Sequence, residues 1–304
     1  DADAVVNPRR LPQDHPLAAL PGVGVAYKVM EELYSRLGRS GDLPRFLDLV
    51  ALGIVADVAV QTGDTRYLLQ LGLNRLSDTS CIGLRALIET AGLAGQPLSA
   101  ADIGFQIGPR LNAIGRLGDA SVAVRLLTTT NETEARTLAV QLDGLNNQRR
   151  LLQRQIHAAA QEQIARDPSL LDWEALIVAQ PAWHAGLLGI VAGQLSDEYQ
   201  RPVALLTVAD DGLARGSARG VPGYDLGASL AAQSDLLLEY GGHPGAAGFS
   251  LPADNIPAFR RRLSDTLRTT RDTTVRPGIQ IDAWLPLQGI TRDLAAGLER
   301  LAPF

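Results

Sequence analysis

Apolar residues recur every three or four positions over 25–37, 43–55, 67–76, 82–93 and 100–107. That period belongs to helices with one buried face, so the first third of the chain is predicted to be mostly helical. Gly38 closes the first of these segments. A longer stripe follows, in which Ala135, Leu138, Leu142, Leu145, Leu152, Ile156 and Ile164 keep one apolar face until Asp167-Pro168. Asn131 and Glu134 have the spacing of a reciprocal N-terminal cap for it. Roughly 36 residues at about 1.5 Å each reach some 54 Å, so this helix is expected to join two domains.

Beyond Pro168 the texture changes to alternating strand and helix. Residues 175–179, 202–208, 213–218 and 246–251 read as strands, and 187–199, 225–240 and 256–267 as helices. The chain is therefore expected to be α/β, with a compact α/β domain after the long helix. A strand-like run at 278–285 begins something further. The expected divisions are 1–130, 131–168, 169–272 and 273–304. The first residues lack a Met and run straight into an apolar pair, and both ends read as cuts within a longer polypeptide.

Composition adds limits. With 304 residues, 46% hydrophobic and 20% charged, the chain is long enough for two globular domains. It has no apolar run near the roughly 20 residues of a membrane span. A single cysteine, Cys81, excludes an intrachain disulfide framework and a Cys-based zinc site; it fits a reducing cytoplasm and a place in the core. The net charge of −5 gives no nucleic-acid signature for the whole molecule. Lys28 is the only lysine, which reads as the coding bias of an arginine-preferring genome.

The candidate chemistry lies in glycine-punctuated segments, where binding sites concentrate. Gly241-Gly242-His243-Pro244-Gly245-Ala246-Ala247-Gly248 carries one imidazole among residues that let backbone N–H groups approach an anion closely, unless it is a plain turn between a helix and a strand. In 108–116 a Gly/Pro loop bears Arg110, Asn112 and Arg116, suited to phosphate and sugar contacts or to capping and surface salt bridges. Trp183 and His184 precede a helix whose N-terminus favours anions. Trp183 is either a base-stacking platform or a core residue. Ser217 and Arg219 end a strand, where they grip a phosphate or form an ordinary polar strand end. Asp57 is a carboxylate within an apolar run and needs a partner: a metal, an arginine, or backbone N–H groups at a helix end. Arg149, Arg150 and Arg154 would make a basic ridge on the long helix, for which a solvated helix face is the default reading, and His157 lies on its polar side.

Taken in order, the segments 4–8, 22–26, 51–58, 108–117, 183–192, 216–226 and 241–248 resemble the DHH phosphoesterase superfamily, specifically its bacterial single-stranded-DNA-specific exonucleases. The resemblance implies the remainder of an α/β DHH phosphoesterase domain, a long connecting helix, an α/β DHH-associated domain and the start of an OB-fold. It also implies two Mn²⁺ or Mg²⁺ ions, with Asp57 at a ligand position and the Asp-X-Asp and Asp-His-His ligands upstream of Asp1. Further, it implies 5′ to 3′ hydrolysis of single-stranded DNA in cytoplasmic repair and recombination, with single-strand-binding protein and a helicase as partners and no membrane. His243 becomes the catalytic residue, set across an interdomain cleft from Asp57, its protonated ring opposing charge on the scissile phosphate. Arg110, Asn112, Arg116, Trp183, His184, Ser217, Arg219, Gly241 and Gly242 become substrate contacts. Lacking most metal ligands, this stretch alone is expected to be inactive. Two other readings remain: a phosphatase of short oligonucleotides or nucleotide 3′-phosphates, and a catalytically dead DNA-binding scaffold.

Overall fold

The computed structural model describes residues 3–275, 278 and 281–303. The chain divides into two units, Asp1–Asn146 with Ala283–Phe304, and Asn147–Asp282. The division falls within the long helix.

The first unit contains only helices and turns among its described residues. Its main helices are α1 (Gly22–Arg36), α2 (Leu47–Ala56), α3 (Gly63–Leu76) and α4 (Ile82–Thr90). The predicted helix at 43–55 starts late, because Pro44 lacks an N–H and 40–46 winds as a 3-10 turn. Two glycines let helices meet backbone to backbone. A Cβ on Gly72 of α3 would lie 2.2 Å from the Leu47 carbonyl oxygen of α2, and one on Gly83 of α4 would lie 1.7 Å from that of Leu126.

The segment 108–116 departs from expectation. A short helix α5 (Ala100–Asp102), capped by Ser99, runs through a π segment over Ile103–Ile107 into α6 (Gly108–Leu117). Pro109 does not break this path, since it occupies the first turn of α6, where no N–H is needed. The expected loop is therefore a helix. Helix α7 (Ser121–Thr128) follows.

The long helix is present as α8 (Glu132–Arg166), 35 residues. Asn131 Oδ1 accepts the Glu134 N–H at 3.0 Å, as a cap should. The return half of the box differs: the Glu134 carboxylate takes the Thr129 hydroxyl and Arg125, which hold its pKa below the usual range.

The second unit holds a five-stranded sheet ordered β1-β2-β3-β5-β4, with β1 (Leu176–Ala179), β2 (Val203–Val208), β3 (Leu213–Arg219), β4 (Glu239–His243) and β5 (Ala246–Pro252). Only β1 and β2 run parallel, joined through α9 (Ala185–Tyr199). Helices α10 (Leu226–Ala231) and α11 (Ile256–Thr270) complete the unit. Phe249 and Phe259 pack at 4.9 Å in its core. Tyr224 donates to Glu174, and Arg271 lies over its ring; burial and that hydrogen bond push its pKa up to about 12.

The predicted helix over 225–240 is replaced by α10, a run of turns, and strand β4. The sequence of β4, Glu-Tyr-Gly-Gly-His, has no alternation to reveal it, because all five residues of this edge strand are exposed. At 278–285 the expected strand is absent among the described residues, where none pairs into a ladder; residues 279 and 280 lie outside them. The short helix α12 (Arg292–Glu299) follows, capped by Thr291.

Candidate functional site

In the second unit the sheet register brings three of the sequence motifs onto one face. Ala246 of β5 pairs with Arg219 on one side and with His243 on the other. In antiparallel strands directly opposed residues share a face, so Arg219 and His243 project together, two strand spacings or about 10 Å apart. The next row is Ser217, Gly248 and Gly241. The floor between the guanidinium and the imidazole is thus one methyl group and two bare glycines. Gly242 faces the other way, where a Cβ would lie 2.4 Å from the Ala246 oxygen, so its role is close packing.

The glycine stretch is accordingly a β-hairpin, with its turn at Pro244-Gly245, and the loop expected between a helix and a strand does not form. The turn is anchored from outside: Gly220 and Leu226 N–H groups donate to the Gly245 and Pro244 carbonyls at 3.0 and 3.1 Å. His243 Nδ1 accepts the Gly245 N–H at 3.3 Å. The side chain is exposed, and its Nε2 meets no hydrogen-bond partner among the described residues.

Helix α9 lies directly on the same face. A Cβ on Gly189 would fall 2.8 Å from Arg219 Nη2 and 2.9 Å from Ser217 Oγ. Arg219 Nη1 also donates to Ser217 Oγ (3.3 Å) and to the Ala218 carbonyl (2.9 Å), which fixes the pair as a unit. His184 is the exposed N-cap residue of α9 and makes no capping bond. Trp183 is only 7% exposed, so its ring faces are packed and cannot stack on a base.

The first unit carries a second group. Asp57 is the C-cap of α2 and is exposed, not buried as its apolar neighbours suggested. Among the described residues its carboxylate meets no hydrogen-bond partner. It stands at the negative end of the helix dipole, a setting that favours a cation. The residue after it, Val58, has φ of 52° and closes the helix by a Schellman pattern: Val58 N–H to Val55 O at 3.1 Å, and Ala59 N–H to Ile54 O at 3.1 Å. Asn7, Arg9, Gly22, Asp57 and Val60 line a cleft of about 630 Å³ here.

Helix α6 starts against the same end of α2, since a Cβ on Gly108 would lie 3.8 Å from that of Ala56. Asn112 and Arg116, four residues apart, share one exposed face of α6 with Gly115. Arg110 points elsewhere. Its Nε donates to Asp143 at 2.9 Å and its Nη1 to the Gln106 carbonyl at 2.7 Å, so it ties α6 to α8.

Sequence reasoning missed three features here. Gly189 lies within the segment 183–192, where the sequence marks no role for it; only the approach of α9 to Arg219 reveals one. Asp48, at 2% exposure, is the buried carboxylate of this region, accepting from the Thr79 hydroxyl and the Leu49 N–H. Phe105, 84% exposed, is the aromatic that stands in solvent beside Arg110's helix. As to metals, no three His, Cys, Asp or Glu side chains gather among the described residues. Asp57 fits one ligand position of a divalent ion and does not make a complete site.

Residues 174–269 match the DHHA1 domain, which covers the sheet, α9 and the hairpin just described. The DHHA1 match and the likeness to RecJ over the length of this chain place it in the DHH superfamily. The chain belongs to its RecJ family. It is 36% identical over 307 residues to the single-stranded-DNA-specific exonuclease RecJ of Bacillus subtilis, covering 100% of this chain and 38% of that protein. The crystal structure of RecJ in complex with Mn²⁺ from Thermus thermophilus superposes with a TM-score of 0.83 at 33% identity, over 98% of this chain and 43% of that one. The Mg²⁺ complex from the same organism gives 0.80 at 32% identity, over 96% and 44%. The chain thus spans about two fifths of these relatives.

Proposed function

We propose that the complete protein is a metal-dependent exonuclease that removes nucleotides 5′ to 3′ from single-stranded DNA in repair and recombination. The observation that carries the reading is the face on which Arg219, Ser217 and His243 surround bare backbone. A guanidinium fork and a hydroxyl suit a phosphodiester, and the glycine floor lets it come close. His243 Nε2–H supplies a further donor toward the charge that develops at phosphorus, a role worth about 3–4 kcal/mol. In the first unit, Asn112 and Arg116 hold the strand by sugar and phosphate contacts. His184 and the N-terminus of α9 add positive potential.

Asp57 contributes one carboxylate to a Mn²⁺ or Mg²⁺ site, and its partial ligand set supports binding without cleavage by the 304-residue chain alone. Such an ion supplies Lewis acidity toward phosphoryl oxygens. Single-strand-binding protein and a helicase are the proposed partners, in the cytoplasm; no described helix is long and apolar enough to cross a membrane. In the full-length enzyme, Asp57→Ala is expected to abolish Mn²⁺-dependent hydrolysis, and His243→Ala to lower turnover a hundred- to a thousandfold at nearly constant DNA affinity. Variants that keep their turnover overturn the assignment.

A further inference from the structure

Charge is distributed unevenly along α8. Its two ends carry acid–base pairs four residues apart, Glu132 with Arg136 and Glu162 with Arg166. From Gly144 to Gln161 it has no carboxylate, yet Arg149, Arg150 and Arg154 all fall there. Several exposed arginines elsewhere meet acids: Arg36 with Glu32, Arg39 with Asp42, Arg125 with Glu134, Arg262 with Asp235. Arg150 and Arg154 meet none among the described residues. They stand on one face of the helix, about 6 Å apart along its axis, an arrangement of like charges that destabilises a helix unless an anion joins them.

These side chains are not scattered on a convex surface. Asn147, Arg149, Arg150, Gln153 and Arg154, with Ile190 of α9, line a cleft of about 520 Å³ that has no acid on its wall. Arg154 Nε donates to the Arg150 carbonyl at 3.3 Å, which folds the long side chain along the helix, and the residue lines the cleft. Ile190 follows Gly189, which lies on Arg219. Successive helix residues point about 100° apart, so α9 has the Arg219 face on one side and this cleft on another.

We propose that the α8 cleft is a second site for the phosphodiester backbone of single-stranded nucleic acid, distinct from the Ser217–Arg219–His243 face and gripping the strand through Arg150 and Arg154. The proposal rests on the reading that this unit handles a single strand. Two guanidinium groups neutralise consecutive phosphates, the amide of Gln153 can donate and accept at a base edge, and Ile190 offers an apolar contact for a sugar or base.

The test is fluorescence anisotropy of a labelled oligothymidylate with the 304-residue chain over a series of salt concentrations. Variants are Arg150→Ala/Arg154→Ala, Arg150→Lys/Arg154→Lys and Arg219→Ala, with folding checked by circular dichroism. The alanine pair is expected to weaken binding at least tenfold at low salt and to flatten the slope of log affinity against log salt by about 1.4, two contacts at roughly 0.7 each. The lysine pair should restore the slope. If Arg219→Ala weakens binding while the alanine pair leaves affinity and slope unchanged, this second site is refuted alone. If neither variant changes binding, the single-strand reading of the unit falls with it. Competition by an acidic peptide that displaces the oligonucleotide only from the wild type, with unchanged salt slopes, also overturns the nucleic-acid assignment.

Discussion

A missing methyl group governs the geometry around Arg219. At Gly189, α9 rests on the guanidinium and on Ser217 Oγ, with no room for a Cβ. The obstructed atoms are side-chain ends, which can move without disturbing the sheet. Gly189→Ala should therefore leave the melting temperature within a few degrees and yet shift Arg219. We expect single-stranded DNA affinity to fall about tenfold, the loss of one charge-assisted hydrogen bond. Adding Ser217→Ala to it makes space and should recover part of the loss. Equal affinity for Gly189→Ala and wild type would show that Arg219 tolerates displacement. At this scale the sequence marks a residue type that leaves few choices, such as His243 among glycines. It was read poorly where burial decides, as with Trp183, and with Asp48 and Asp57, whose apolar surroundings in the chain look alike.

Elements were legible where a face is buried. The stripe of α8 carries its period openly and β1 and β2 stand out as short continuous apolar runs, whereas β4 is an exposed edge with nothing to alternate. Segment 108–116 was misread because Gly-Pro signals a loop as readily as a first helical turn; the π segment before it gave no signal. The end of α2 shows a further element-scale feature. Val58 is β-branched, 87% exposed and held in the left-handed region, where glycine is usual at this position of a Schellman cap. The strain is about 1–2 kcal/mol, against about 0.4–1 kcal/mol of unfolded-state entropy that a glycine adds. Val58→Gly is thus expected to raise the melting temperature by a few degrees in thermal unfolding. A lower melting temperature would mean that the valine side chain contributes packing that outweighs its backbone strain.

For the whole molecule, the net charge of −5 concealed a division of labour. Many exposed arginines are matched with acids, whereas Arg150 and Arg154 meet none among the described residues and share the α8 cleft; Arg219 stands with Ser217 and His243 on the sheet face against which α9 lies. The α/β fold followed from the change of pattern at Pro168, whereas the two units divide within α8, between Asn146 and Asn147. The pairing of Arg219 with His243 across Ala246 did not follow from it, because it depends on a register that only the folded sheet displays. Whether this face holds a phosphodiester decides the functional reading. A crystal structure of the chain with a short single-stranded deoxyoligonucleotide would answer it. We expect a phosphate with its oxygens within about 3 Å of Arg219, Ser217 Oγ and His243 Nε2; a strand bound in the crystal with no phosphate on this face would refute the assignment.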